Sequence, residues 1–200
     1  MKREEVNSHS SVGGNCFKMR NLLTTFLLLT ILSCNRTADS SASDERDSLT
    51  LVQKTMIDSL DFHIIRFDSS YQYLFSTSFM TADLTNKEII ESENLLKLFI
   101  ADYNVEATKK FNEMTKEYPN IKFNILDFTI ELADYGRQYM SVVSHKGERM
   151  VYVNCFCDPT EFNYRDKELV QVEDGGNCFF NFKVNLTEKK IFDFMENGVA

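Results

Sequence analysis

The sequence predicts an α+β fold in which one or two helices pack on an antiparallel β-meander of four to five strands. Apolar residues have helical spacing in residues 85–117, whereas from Ile121 onward they alternate with a period of two. Gly147 and the Gly175-Gly176 pair mark short turns between the strand patterns. Helices followed by hairpin-linked strands favour α+β over an alternating α/β arrangement.

Composition and charge indicate a single acidic globular domain. The chain has 200 residues, 43% of them hydrophobic, and a formal net charge of −8 at pH 7. This length is typical of one domain. Binding to nucleic acid requires clustered Lys and Arg side chains, and the sequence has no such cluster. We therefore expect no nucleic-acid partner.

Residues 19–34 have the pattern of a bacterial signal peptide. Arg20 precedes the apolar run Leu22–Leu32, which is about half the ~20 residues that a membrane-spanning helix needs. The run ends in Ile31-Leu32-Ser33-Cys34, which resembles the lipobox of bacterial lipoproteins. This resemblance implies cleavage before Cys34 and attachment of lipid to its thiol, which would anchor the chain in the membrane.

The start of the chain departs from this pattern. Eighteen residues, including Glu4 and Glu5, precede Met19, and acidic residues are unusual at the start of a signal peptide. We interpret residues 1–33 as a signal peptide with an upstream extension and Met19 as the true start. The alternatives are an uncleaved anchor and an apolar helix in the core.

The segment that follows Cys34 is polar and Ser-rich, and it predicts a disordered tether over residues 34–50. Its acidic part, Ser43–Asp47, resembles signals that direct some lipoproteins of Bacteroidota to the cell surface. We expect the chain to be lipid-anchored to the outer membrane, on its periplasmic or its surface face.

The single α+β domain is expected over residues 51–200. A short helix is predicted first, from the spacing of Leu51, Met56 and Leu60, and alternating aromatic residues from Tyr71 to Phe79 then predict a strand.

A clearer helix begins after Thr85, where Thr85 and Glu88 form a capping box. We predict that this helix ends at Asn104 and that a second helix spans Glu106–Glu117.

The predicted strands make up the rest of the domain. Apolar residues alternate from Ile121 to Leu132, and the strands predicted for the meander are Gln138–Ser144, Arg149–Cys157, Lys167–Glu173, Asn177–Leu186 and Lys190–Met195. A C-terminal helix is the alternative for the last of these. The Thr85 helix is expected to cover one face of the sheet and to leave the other partly solvated.

Three cysteines lie in the predicted strands, and alternation turns them toward the core. Cys155 and Cys157 share a face with Val151 and Val153, and Cys178 begins an apolar face of the next strand. Three interpretations remain open: buried thiols, a disulfide that joins Cys178 to Cys157 or Cys155, and a metal or redox site formed by all three.

No catalytic motif is recognisable, so we assign no catalytic residue, metal ligand or cofactor. A Cys–His hydrolase would need His63 or His145 beside a cysteine, and the flanking residues do not indicate this. Phe156, Phe162 and Tyr164 lie in and near the loop after Cys157, and we predict a contact patch there for a partner.

Residues 85–200 resemble a group of small lipid-anchored envelope proteins (lipoproteins) of Bacteroidota. The resemblance lies in Tyr135–Tyr139, Val151–Cys157, Asp174–Phe180 and the closing Asn197–Ala200. The resemblance itself implies little about function. The lipobox-like ending at Cys34 and the lack of a catalytic constellation predict a non-enzymatic binding or structural module of the envelope, with the membrane and an envelope protein or small ligand as its partners. The alternative is a thiol-based redox or metal-binding protein that uses Cys155, Cys157 and Cys178. The strand pattern is also similar to PepSY-like and cystatin-like domains, which is an analogy of fold alone.

Overall fold

A computed structural model describes residues 49–75 and 78–198, which belong to one compact unit. The predicted signal peptide, Cys34 and almost all of the predicted tether therefore lie outside the described residues. Two α-helices, α1 (Leu51–Ser59) and α2 (Asn86–Glu117), pack with one sheet. Its strands are β1 (Phe62–Ile64), β2 (Phe79–Thr81), β3 (Tyr135–Ser144), β4 (Arg149–Cys157), β5 (Phe179–Asn185) and β6 (Lys190–Glu196). The predicted α+β class is confirmed.

The sheet is mostly antiparallel and is built around a four-stranded meander, β3 to β6. Its order is β1-β3-β4-β5-β6, and β2 also pairs with β3. The short strand β1 runs parallel to β3 beside Arg137–Tyr139, whereas β2 is antiparallel and lies beside Val142–Ser144. Both short strands thus lie along one edge of β3, at different ends. Gly147 has a φ of 82° in the β3–β4 turn, a conformation that favours glycine.

The capping box predicted at the start of α2 is present. The Thr85 hydroxyl accepts a hydrogen bond from the Glu88 amide, and the Glu88 carboxylate accepts one from the Thr85 amide. Ile89, Leu96 and Ile100 on the buried stripe of α2 pack in the main core. This stripe fixes the helix across the sheet.

The main core lies between α2 and the sheet face that carries Cys155. The sheet supplies Val151, Val153 and Cys155 from β4 and Phe180, Phe182 and Val184 from β5. At the sheet edge, Phe99 of α2 packs against Phe194 of β6 with ring centroids 4.9 Å apart. The predicted inward orientation of the cysteine-bearing faces is confirmed.

The prediction of two helices separated at Asn104 is wrong, because α2 continues through this position to Glu117. The Asn104 side chain donates to the carbonyl oxygen of Ile130 and accepts from its amide, both at 2.9 Å. These tertiary bonds occupy the amide group that would otherwise compete with the helix backbone.

The strand predicted at Lys167–Glu173 is also wrong, and the alternating residues from Ile121 to Leu132 do not form a strand. Among the described residues, the segment from Ile121 to Leu132 contains a 3-10 turn at Ile125–Asp127 and no strand, and Lys167–Glu173 is irregular. Side-chain amides from other parts of the chain form hydrogen bonds with the backbone of these two segments instead. Gln138 donates to the carbonyls of Arg165 and Glu168, at 2.7 and 2.6 Å, and accepts from the Val170 amide at 2.8 Å. Buried backbone groups are satisfied here without a strand ladder.

The predicted strand across Tyr71–Phe79 is corrected in a similar way. The structure has a 3-10 helix at Ser69–Leu74, which Asp68 caps, and among the described residues 71–75 and 78–79 only Phe79 belongs to a strand. Phe75 contacts Phe67 and Phe79, with ring centroids 5.6 and 5.1 Å away. The aromatic residues thus form a local cluster rather than one face of a strand.

The second sheet face is less solvated than predicted. A second apolar cluster covers it, formed by Met140, Val142 and Tyr152 of the sheet and by Ile65, Phe67, Phe75 and Leu169 of the loops. As a result β3 is buried on both faces from Tyr135 to Val142. The final strand β6 confirms the strand prediction over the helical alternative.

Candidate functional site

A cavity of about 640 Å³ lies beside α2 where the chain enters β3. Its wall is formed by the end of α1 and the residues after it, one side of α2, the segment before β3 and the start of β3. The residues of the wall include Leu60, Glu93, Ala101, Ile130, Leu132 and Arg137. A volume of this size is within the range of cavities that bind small molecules. The cavity is therefore a candidate binding site.

A buried ion pair forms part of the cavity wall. Glu93 of α2 is 1% exposed and Arg137 of β3 is 3% exposed, and Arg137 Nε donates to Glu93 Oε1 at 3.0 Å. The guanidinium also donates to the carbonyl oxygens of Tyr135 and Leu132. A buried charge is tolerated only when it is paired and hydrogen-bonded, and Arg137 meets this condition.

The Glu93 carboxylate is only half satisfied. Its Oε1 accepts from Arg137 and from the Tyr139 hydroxyl, the latter at 2.6 Å. Its Oε2 is buried, and no donor among the described residues reaches it. A buried oxygen of an ionised carboxylate without a donor is costly, so this atom favours a hydrogen-bond donor from outside the chain.

Burial and the Glu93 charge keep Tyr139 in its neutral form. Burial raises the pKa of the Tyr139 phenol well above its ordinary value, and the neighbouring Glu93 carboxylate raises it further. The phenol therefore remains a donor to Glu93 Oε1. In the structure the Tyr139 hydroxyl donates to Oε1 and not to Oε2.

The charges around the cavity are mainly negative. The acidic residues in its wall are Asp61, Glu93, Glu131 and Asp134, and the basic residues are Lys97 and Arg137. Their formal sum is −2. Asp61 also pairs with Arg165 outside the wall, at 3.5 Å. The rest of the wall is largely apolar, through Leu60, Ile100, Ile130 and Leu132.

Sequence reasoning missed Glu93 and Arg137, although each interrupts an apolar pattern. Glu93 lies four residues after Ile89 and three before Leu96, so helical spacing places it on the buried stripe. Arg137 lies between Tyr135 and Tyr139 on one face of β3. A charged residue at an apolar position of each element was the signal available.

The structure separates the three candidate cysteines into two kinds. Cys157 and Cys178 are joined in a disulfide, with Cα atoms 5.2 Å apart, whereas Cys155 is a free thiol with no exposed surface. Burial raises the pKa of the Cys155 thiol well above its ordinary value, although the nearby Arg137 charge lowers it. A buried neutral thiol is a poor nucleophile and a poor metal ligand.

The predicted contact patch is only partly at the surface. Phe156 is completely buried, because its position on β4 faces the loop that follows the strand, so its assignment to a surface patch is wrong. The half-buried Phe162 packs edge-on against Phe156 and Phe179, with ring centroids 5.4 and 6.0 Å away. Of the three predicted residues, only Tyr164 is exposed, at 37%.

Comparisons with family models, curated proteins and solved structures found no match. The resemblance to lipoproteins of Bacteroidota and the analogy with PepSY-like and cystatin-like domains therefore stay predictions. Within residues 49–75 and 78–198, no helix has the length and apolar character needed to cross a membrane. The same residues contain no group of three or more His, Cys, Asp or Glu side chains placed to hold a metal ion.

Proposed function

We propose that this protein is a lipid-anchored module of the bacterial cell envelope that binds a small ligand in the cavity beside α2. Lipid on Cys34 would attach it to the outer membrane, and the folded domain would act without catalysing a reaction. An envelope protein could receive or deliver the ligand.

The observation that supports binding is the buried and unpartnered Oε2 of Glu93, a residue of the wall of a cavity lined by both charged and apolar side chains. Residues that serve only the fold are expected to satisfy their buried polar atoms within the chain. The cavity combines apolar walls with a few polar groups, which is the usual composition of small-molecule sites. Support for anchoring comes from the lipobox-like ending of the apolar run at Cys34.

Anchoring is tested by replacing Cys34 with Ser and labelling cells with a palmitate analogue. We expect the wild-type chain to carry label and to fractionate with the outer membrane, and Cys34→Ser to lose both properties. Ser41→Ala is the matched control, because Ser41 lies in the polar segment after Cys34 and its replacement should leave labelling unchanged. Label that persists in Cys34→Ser would contradict the lipid attachment.

Binding is tested by recovering small molecules from the intact chain. The protein is purified in mild detergent and then denatured, and the released compounds are identified by mass spectrometry. Ala101→Phe places a large ring at the cavity wall, and we expect it to abolish the co-purifying compound. Leu98→Phe is the control, because Leu98 is 69% exposed on the same helix and does not line the cavity. Recovery of the same amount of compound from wild type and from Ala101→Phe would contradict the assignment of the cavity as the binding site.

A further inference from the structure

We infer that the cavity binds a small organic cation whose ammonium group donates a hydrogen bond to Glu93 Oε2. The inference rests on the proposed binding function and adds the chemical class of the ligand. It follows from three features of the wall: the unused acceptor, the sign of the charge and the apolar surface.

The unused acceptor specifies a donor. An ionised carboxylate has no hydrogen to donate, so its partners must be N–H or O–H groups. Glu93 Oε1 already receives two hydrogen bonds, from Arg137 and Tyr139, whereas Oε2 receives none from the described residues. A ligand that presented a carboxylate or carbonyl oxygen to Oε2 would leave the acceptor unpaired and add repulsion.

The charge of the wall selects a positive donor over a neutral one. Arg137 neutralises Glu93 within the pair, and Lys97 is the remaining basic residue of the wall. Asp61 is paired with Arg165 outside the wall, and the carboxylates of Glu131 and Asp134 still outnumber Lys97. A cleft with one excess sign of charge and low-dielectric walls raises the local concentration of ions of the opposite sign. The cavity thus favours cations over anions.

The apolar wall specifies the rest of the ligand. Leu60, Ile100, Ile130 and Leu132 line the cavity beside the charged groups. These side chains cannot replace the water around a bare metal ion, but they can cover a hydrocarbon body. The best fit is a primary amine with a short aliphatic or aromatic body, oriented with its nitrogen toward Glu93.

Benzylamine, benzyl alcohol and benzoate test this inference, because they share a ring and differ in charge. Binding of each to the full chain in detergent is measured by isothermal titration calorimetry. We expect benzylamine to bind at least about tenfold more tightly than the other two, a difference of about 1.4 kcal/mol. Ala101→Phe should abolish this binding.

Two charge variants examine the role of the carboxylates. Glu93→Gln should weaken benzylamine binding by at least about tenfold, since it removes the charge that accepts from the ammonium. If this variant does not fold, the double variant Glu131→Gln/Asp134→Asn lowers the negative charge without altering the buried pair, and a smaller loss is expected. Glu113→Gln, which changes an exposed charge of α2 outside the cavity, should bind like wild type.

The outcomes separate the ligand class from the binding function. If benzyl alcohol or benzoate binds as tightly as benzylamine and Ala101→Phe abolishes that binding, the cavity is a binding site and the cation inference is wrong. If benzylamine binds equally well to wild type and Ala101→Phe, or binds to neither, the inference is overturned. In the last case, a compound that still co-purifies with wild type and not with Ala101→Phe would preserve the proposed function.

Discussion

Asn104 of α2 and the backbone of Ile130 are joined by a pair of hydrogen bonds, in which the side-chain amide acts as a neighbouring strand would. Nδ2 donates to the Ile130 carbonyl oxygen and Oδ1 accepts from the Ile130 amide, both at 2.9 Å. Asn177 adds two bonds to the same segment, from its Nδ2 to the carbonyls of Leu126 and Thr129. The segment before β3, which supplies part of the cavity wall, is therefore held by side chains on α2 and near β5.

Replacement of Asn104 by Ala should lower the free energy of unfolding by about 1–3 kcal/mol. The change leaves a donor and an acceptor of Ile130 without partners in a largely buried site. The loss is measured by urea unfolding followed by circular dichroism. Asn120→Ala is the control, because Asn120 is exposed after the end of α2 and should change stability by less than about 0.5 kcal/mol. Equal stability of Asn104→Ala and wild type would contradict the role assigned to this pair.

The parts of the fold that follow a single period were predictable from sequence. The strand predicted at Arg149–Cys157 has these bounds in the structure, and the predicted capping box starts α2. In both elements backbone hydrogen bonds and one apolar face act together, so the pattern of apolar residues is sufficient. The same alternation left Cys155 and Cys157 as the possible disulfide partners of Cys178, and the structure pairs Cys178 with Cys157.

The segments that side-chain amides hold were not predictable in this way. Lys167–Glu173 alternates like a strand, yet Gln138 and Asn154 bind its backbone, with Asn154 Nδ2 donating to the Val170 carbonyl at 2.8 Å. Asn104 was interpreted as a helix stop because the sequence does not show that its side chain binds the distant backbone of Ile130. A polar amide in the sequence does not reveal whether it will bind a local backbone group or a distant one.

The candidate cavity depends even more on tertiary contacts. Glu93 and Arg137 are 44 residues apart in sequence, and each alone is an ordinary charged residue. Their position on apolar faces indicates burial, but only the crossing of α2 over β3 brings them together. The unpartnered oxygen of Glu93 follows from that geometry and has no counterpart in the sequence pattern.

Reduction of the Cys157–Cys178 disulfide should lower the free energy of unfolding by about 3 kcal/mol. The two cysteines are 21 residues apart, and a crosslink of this span restricts the unfolded chain. Urea unfolding of the wild-type chain with and without reductant measures the change. The double variant Cys157→Ala/Cys178→Ala is the control: it should match the reduced wild type and should not respond to reductant. Peptide mapping that finds both thiols free in the untreated chain would contradict the pairing.

Alkaline pH should destabilise the fold through buried tyrosines, of which Tyr135 gives the clearest test. Burial raises the pKa of Tyr135 from 10.0 to about 12. Between these values the unfolded state loses the phenolic proton while the folded state keeps it, so stability falls as pH rises. The free energy of unfolding, measured by urea titration at several pH values, should decrease across this window.

Tyr135→Phe separates this effect from other alkaline changes. The variant loses the hydrogen bond from the Tyr135 hydroxyl to the Asn177 carbonyl oxygen, so its stability at neutral pH should be lower by about 1 kcal/mol. Its stability should then fall less steeply with pH than that of wild type, because one titrating phenol is absent. Tyr164→Phe, which changes an exposed tyrosine, should keep the wild-type slope. Parallel slopes for Tyr135→Phe and wild type would refute the prediction.

The Glu93–Arg137 pair should behave as a coupled unit in a double-mutant cycle. Glu93→Gln leaves the Arg137 charge buried without its anion, and Arg137→Met leaves the Glu93 carboxylate with Tyr139 alone. Each single variant should lose about 3–5 kcal/mol of unfolding free energy, because an uncompensated buried charge is strongly destabilising. The combined variant removes both charges, so its loss should be smaller than the sum of the two single losses by about 1–3 kcal/mol.

The exposed pair Glu106–Lys109 on the same helix supplies the matched cycle. Its charged atoms are 3.9 Å apart and both side chains are solvated, so Glu106→Gln, Lys109→Met and their combination should each change stability by less than about 0.5 kcal/mol. The contrast between the two cycles isolates the effect of burial from that of charge. Strictly additive losses at Glu93 and Arg137 would mean that the two groups do not stabilise each other. In that case the losses of the single variants would reflect only poorer packing at the cavity wall. Glu93 Oε2 could then no longer be treated as the free acceptor of a fixed charge pair.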